Sequence, residues 1–453
     1  MSTFDAVVIG AGCAGLSAAT ALAESGARVA VIEARPIAGG RTFATEDRLT
    51  GDWVDNGQHV LFGCYHDTLA YLDRIGTRQR VRVQSSLAVP MIDMSGRQSE
   101  LRCPALPSPL QLAAGVLAWE ALSWRERLAV ASLGRALEPA APPPPADETV
   151  RQWLTRYGQP ARLCDLLWEP LAVAALNQPI DQATATTFVE VVRRMLGPGP
   201  DDAALVIPAE SLSHVLVEPA VAFVEARGGE VLRGAAARVT VDAHGVSGVE
   251  VRGRAIHARA VVSSVPWHAV AALFPDVPAP LASIVSRASA MRSAPIVTVN
   301  LWFDRPVLEA PFIGLPGRAF QWVFDKRLVA PGQGAHLSLV CSGADEIVGL
   351  ENDAIIERAL AEFTRAVPAA ARARLVRATA VRERRATFSL AAGEPTRPAT
   401  VTPLPGFLLA GDWTDTGLPA TVESAVVSGH RAARAVQQLL ACPSPQAPAP
   451  RTP

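Results

Sequence analysis

Residues 4–41 read FDAVVIGAGCAGLSAATALAESGARVAVIEARPIAGGR, and this stretch decides the fold. The apolar run Ala6 to Ile9 has the length and character of a buried parallel strand. Gly10, Gly12 and Gly15 follow as G-x-G-x-x-G, a turn whose missing side chains let backbone approach a diphosphate. Leu16, Ala19 and Leu22 recur at helical spacing, so a helix is expected as far as Gly26, its C-terminal cap. A second strand, Arg28 to Ile32, then ends at Glu33, 18 residues beyond Gly15. That is close to the spacing at which an acid accepts from a ribose 2′-hydroxyl, while the diphosphate rests on the positive end of the helix. A lone glycine fingerprint is weak, because glycine-rich turns also serve packing. Here strand, glycines, helix, strand and acid fall in register, which predicts an α/β, Rossmann-like dinucleotide domain. Glu33 would repel a 2′-phosphate, so NADP is not expected at this site.

Both the adjoining segment and the far end of the chain extend this reading. Gly39, Gly40 and Arg41 can bring further amides and a guanidinium to the diphosphate, since arginine pairs with phosphate oxygens bidentately. Asp55, Asn56, Gly57, Gln58 and His59 then form a dense polar cluster, a turn placed where side chains can face the bound ligand. Near the end, GFLLAGDWTDTGLPATVESAVVSGHRAARAVQQLL (406–440) repeats the pattern of strand, acid and helix. Phe407 to Ala410 is the strand, Gly411 and Asp412 follow, and a helix is expected from near Pro419 to Leu440. An NAD enzyme needs only the first fingerprint. FAD also carries a ribityl chain, which suits Asp412, and an isoalloxazine, which suits amides at the helix start near Val422.

At 453 residues the chain exceeds one ordinary domain. A formal net charge of −1 offers no field to steer nucleic acid, and none is expected as a partner. The six cysteines, at 13, 64, 103, 164, 341 and 442, include no C-x-x-C and no metal-ligand spacing, which suits a reducing compartment. Cys13 sits inside the glycine turn, where a small side chain is the ordinary requirement. With the fingerprint starting at residue 4 and no charged n-region before it, a cytoplasmic location is expected.

The middle of the chain reads as a second, α+β domain. PALPSPLQLAAGVLAWEALSWRERLAVASLGRAL (104–137) is a proline-broken entry and then a helical run through Leu112, Val116, Trp119, Leu122, Trp124 and Leu128. Its uninterrupted apolar part, Leu112 to Trp119, is far short of the roughly 20 residues that span a bilayer. Two tryptophans beside Arg125 and Arg127 resemble an interfacial helix, so 110–137 is a candidate membrane-facing element; a helix packed on the core would look similar. Glu138 to Asp147 is a stiff proline-rich connector. Glu169, between Trp168 and Pro170, is a carboxylate in apolar surroundings that favour its acid form. Val297, Val299 and Leu301 alternate with Thr298, Asn300 and Trp302, and Phe320, Trp322 and Phe324 alternate likewise, which indicates a multi-stranded sheet with one apolar face. The domains are therefore expected to be discontinuous. Residues 1–63, 205–266 and 395–440 would bind FAD, 64–204 and 267–394 would form a substrate domain on a mixed sheet, and 441–453 would be a disordered tail.

GAGCAGLSAA with GGRT, DNGQHVLFGCY, WEPLAVAALN and AGDWTDTGLPATVESAVVSGHRAA together resemble the squalene-associated FAD-dependent proteins, the hydroxysqualene dehydroxylases of bacterial hopanoid synthesis. These lie within the wider fold of amine oxidases and phytoene desaturases. The resemblance spans nearly the whole chain. Its ends are motifs of the whole superfamily, whereas DNGQH with GDWTDTGLPAT resembles the hydroxysqualene group more narrowly. It implies an FAD-binding domain of the glutathione-reductase and amine-oxidase type, with Gly10, Gly12, Gly15, Glu33, Gly40, Arg41, Asp412 and Val422 at FAD and Val239 meeting adenine through its backbone. It also implies a hydroxysqualene substrate drawn from a membrane, hence a peripheral place on the inner face of the cytoplasmic membrane. The reaction needs a general acid; His59, Asp55 and Glu169 are the candidates, with His59 favoured because DNGQH follows the cofactor motif directly. A carotenoid-type desaturase and an amine oxidase are the other enzymatic readings, and an FAD-stabilised binding protein the non-enzymatic one. Only three tyrosines occur, none in the C-terminal motif, which counts against the aromatic cage of an amine oxidase.

Overall fold

In the computed structural model, residues 2–138, 140–199, 201–330 and 334–441 are described; most of the expected tail, from 442 onward, lies outside them. Strand β1 (Ser2–Ile9) pairs in parallel with β2 (Val29–Ile32) on one side and with Arg254–Ser263 on the other. Glu230–Leu232 extends the sheet beyond β2, and Phe407–Leu409 adds to Arg254–Ser263, all in parallel. The antiparallel strands Ala237–Asp242 and Gly245–Val251 complete its seven. Ala6, Val7 and Val8, with Val29 to Ile32, are fully buried, as in a parallel sheet covered on both faces. Each valine or isoleucine among them contributes roughly 1.5–3 kcal/mol by leaving water. Helix α1 (Cys13–Glu24) starts inside the glycine turn and packs along the C-terminal helix Val422–Ala441.

A second seven-stranded sheet runs in the order Leu375–Phe388, Ser293–Phe303, His336–Ser342, Trp322–Asp325, Phe312–Gly314, Ala88–Ile92 and Gln98–Arg102. It is mixed, because Phe312–Gly314 meets Ala88–Ile92 in parallel. Val297, Val299 and Leu301 form the expected apolar face with Leu337 and Leu339, under the helix Asn352–Ala366 and its Ile355, Ala359 and Phe363. The opposite face is not solvated as strict alternation suggests. Thr298 and Asn300 are buried there, because the segment around residues 52–58 lies over them; the Trp302 indole, for one, donates to Asp52 Oδ2 at 2.7 Å.

Leu205–Pro208 pairs antiparallel with Leu61–Phe62 and Val81–Val83, and the first sheet resumes at Glu230–Leu232. The helical run after it changes from a π-helical turn, Ser213–Val217, to the α-helix Glu218–Glu225, whose first turn holds Pro219. One expectation is corrected. Residues 110–137 are not one helix. Leu110–Ala118 ends at Trp119, and Ser123 starts Trp124–Ala129 through a capping box with Glu126, so hydrogen bonding favours a fresh helix there.

Candidate active site

One large cavity, about 1300 Å³, runs between the two sheets. At one end its wall is made by the turn after β1 and by the second glycine turn, which meet in a bridge between Gly12 and Gly39. Gly15 does not reach the cavity. Its role is steric: a Cβ there would fall 2.0 Å from the Gly10 carbonyl oxygen, so α1 can start where it does only without one. Gly12 is the reverse case, with a Cβ position opening toward Gly40 Cα at 3.8 Å, and the lining there is bare backbone. Such an open cradle beside the first turn of α1 fits a diphosphate.

Glu33 ends β2 and lines the cavity. Its Oε2 accepts from the Ala11 amide at 2.8 Å and its Oε1 from the Arg35 amide at 2.9 Å, which fixes the carboxylate and leaves further lone pairs for a ribose hydroxyl. Glu33→Ala is expected to retain the fold and weaken FAD binding roughly 10- to 150-fold, the equivalent of one charge-assisted hydrogen bond. Titration of apoprotein with FAD checks this, and unchanged affinity would remove Glu33 from the site.

Gly40, Arg41, Gly411, Asp412 and Val422 are on the cavity wall as well. Arg41 donates to Asp412 Oδ1 at 2.7 Å and to the Ala386 carbonyl at 2.6 Å. Burial opposes the Arg41 charge, but Asp412 outweighs it and its pKa is raised. Burial pushes the thiol of Cys13 beside them up as well, and there the rise keeps it a neutral small side chain in the turn. Val239 is not among the residues that line the cavity; it stands opposite Val249 in the edge pair of the sheet with its side chain in the core, while Ala235, Ala236 and Ala237 form that part of the wall.

The three candidate acids separate. His59 lines the cavity, with Nδ1 2.8 Å from the Gly57 carbonyl. A carbonyl only accepts, so Nδ1 carries the hydrogen and Nε2 is the atom that takes up or releases a proton. Burial pulls the His59 pKa below its ordinary value, against the Gly57 contact and Asp55, which raise it. Asp55 is off the wall and buried in an ion pair with Lys326 at 3.0 Å. Glu169 is off the wall as well; burial raises its pKa, as its apolar neighbours predict, but its Oε2 accepts from the Ile180 amide. A lining residue that sequence reasoning missed is His268. Its Nδ1 faces Arg385 Nη1 at 3.1 Å, and since arginine only donates, that nitrogen must accept; burial and then Arg385 lower its pKa.

Past His59 the wall turns apolar, with Leu112, Val116, Leu133, Leu171, Phe312 and Phe324 among its residues. Its carboxylates, Glu33, Glu383 and Asp412, all belong to the cofactor end, where Glu383 accepts from Asn56 near Arg41.

The model of the family "Flavin containing amine oxidoreductase" matches residues 13–437. The chain belongs to the flavin-containing amine oxidoreductase family. Within that family it is 33% identical to a hydroxysqualene dehydroxylase of Rhodopseudomonas palustris, over 94% of this chain and 96% of the relative. It is 26% identical to a 15-cis-phytoene desaturase of Glycine max, over 97% of this chain and 80% of the relative. Among solved structures, an oxidoreductase from Methanosarcina mazei superposes with a TM-score of 0.73 at 19% identity, covering 95% and 99% of the two chains. That likeness shows the fold. The protein is thus an FAD-dependent oxidoreductase, and the open glycine cradle, Glu33 and the Arg41–Asp412 pair suit the cofactor that membership requires.

Proposed function

We propose that this flavoenzyme removes the hydroxyl of hydroxysqualene reductively, yielding squalene and water. The observation that carries the reading is the chamber itself: an apolar wall without a carboxylate, continuous with the cofactor groove, and one histidine on it whose protonated form the backbone supports. An amine would find no anion at the apolar end to hold its charge. In this reading His59 Nε2 gives a proton to the hydroxyl oxygen, the carbon–oxygen bond breaks, and water leaves an allylic cation that the apolar wall shields from solvent. The glycine cradle, Glu33 and the Arg41–Asp412 pair would hold FAD, whose reduced form would supply the hydride that replaces the hydroxyl. His59 is preferred to His268 because Nδ1–H donation to a carbonyl stabilises an imidazolium, whereas an arginine donating to Nδ1 opposes one. Anaerobic incubation of photoreduced holoprotein with hydroxysqualene tests the reading. Squalene should form one for one with oxidised flavin; recovery of the alcohol unchanged would refute it.

We infer that substrate enters at the broken helical segment. Leu110 both lines the cavity and is 58% exposed, so this segment is a wall with one side in solvent. Leu117, Trp124 and Leu128 are exposed next to it, and Arg127 stacks on Trp124 at 4.8 Å. Trp119 and Leu122 are core residues instead, so the set available to a membrane would differ from the one that the helical run alone suggests. No helix among the described residues is long and apolar enough to cross a membrane. The exposed set would rest on a bilayer surface, with Arg125 and Arg127 meeting lipid phosphates. Leu117→Glu with Trp124→Glu should lower binding to anionic liposomes at least tenfold with FAD content intact; co-sedimentation measures it, and undiminished binding would exclude this face.

A further inference from the structure

Of the 42 basic residues in the chain, Lys326 alone is a lysine. It follows the strand Trp322–Asp325 and is buried. Its ammonium donates to Asp55 Oδ2 at 3.0 Å and to Gln58 Oε1 at 2.9 Å, two residues of the Asp55–His59 turn at the far end of the sequence. An ammonium has no acceptor, so Gln58 must present its oxygen to it; the Gln58 amide nitrogen then points to the His59 carbonyl, 3.3 Å away. Asp55 is held from its other oxygen by the Leu212 amide at 2.9 Å. The turn is therefore fastened at both ends. A guanidinium would bring a planar fork where a compact charge with independent donors meets two acceptors from one turn, which gives a physical reason for lysine here. Nearby His336 adds no competing charge, being pushed down to about 3 by burial and then by Lys326.

We propose that Lys326 is a positioning residue for the dehydroxylation, clamping the Asp55–His59 turn so that the His59 ring stands at the cavity wall in the orientation that delivers its proton. The proposal rests on the function argued above. Lys326 is not itself on the wall, and it acts on substrate only through His59. Among the charges that act on His59, Asp55 favours its protonated form while Arg41 and Lys326 disfavour it.

The experiment compares wild type, Lys326→Met and the charge-balanced Lys326→Met with Asp55→Asn, each as reduced holoprotein mixed anaerobically with hydroxysqualene across a pH series. Lys326→Met is expected to keep FAD, to reoxidise at least tenfold more slowly, and to hold its rate to higher pH, because a positive charge has left the surroundings of His59. The double variant leaves no buried carboxylate unpaired, so it should recover the wild-type melting temperature while its rate stays at least tenfold down. A double variant that reoxidises at the wild-type rate with the wild-type pH profile would overturn the clamp. If wild type itself fails to reoxidise with hydroxysqualene, the proposed function falls and the clamp with it. Normal wild-type turnover beside unaffected variants sinks the clamp alone.

Discussion

Replacement of His59 by alanine is expected to leave a yellow, reducible protein whose flavin is reoxidised by hydroxysqualene at least 10²-fold more slowly, the scale of a lost general acid. The separation of effects is the point. His59 is hydrogen-bonded within its own turn, to the Gly57 carbonyl, and not to the glycine cradle, so cofactor binding has no reason to change. The pH dependence has a definite sign. Burial lowers the His59 pKa from its ordinary 6.5, and the reaction needs the protonated form, so kcat/KM should fall with rising pH through a midpoint below 6.5. That limb should be missing in His59→Ala. His268→Ala should retain most of the rate, since burial and then Arg385 disfavour the protonated form of that ring. Single-turnover kinetics decide between them, and normal reoxidation in His59→Ala would end the assignment.

Gly15→Val is expected to yield a colourless protein. A Cβ at this position meets the Gly10 carbonyl oxygen at 2.0 Å and Ser264 Oγ at 2.5 Å, and the first of these is backbone that cannot swing aside. The first turn of α1 would have to move away from the end of β1, costing roughly 3 kcal/mol or more by overpacking alone. The cradle around Gly12 would go with it, and with the cradle the diphosphate site. Flavin absorbance of the purified variant and its melting temperature measure both consequences. A variant that retains FAD would show that this turn does not carry the cofactor.

How much of this was legible in the sequence depends on the range of the interaction. The β1–α1–β2 unit is written in local order, and each signal, from Gly10 to Glu33, falls where the structure has it. The second sheet was visible as alternation in Val297 to Leu301, but alternation cannot tell whether the polar face meets water or another part of the chain. Here it meets the segment carrying Asp52 and Gly57. Asp55 illustrates the same limit. Beside His59 in sequence it looks like a second acid, yet its partner, Lys326, lies 271 residues away, and only the fold brings a cation to it. Leu122 and Trp119 read as one face with Trp124 until the capping box at Ser123 turns the chain and sends them into the core. A Ser-x-x-Glu at 123–126 was there to be read as a helix start. His268 had no such signal, because nothing local distinguishes a histidine that the strand Leu375–Phe388 will bring to a cavity.

The direction of electron flow is the central claim, since a desaturase and a dehydroxylase of this family can share an apolar chamber and a flavin but run it oppositely. The visible absorbance of the holoprotein, followed anaerobically in two parallel mixings, separates them. Photoreduced protein mixed with hydroxysqualene should regain its yellow colour in a single turnover, and oxidised protein mixed with phytoene should keep its colour. Bleaching of the oxidised flavin by phytoene, with reduced flavin left unchanged by hydroxysqualene, would contradict the account.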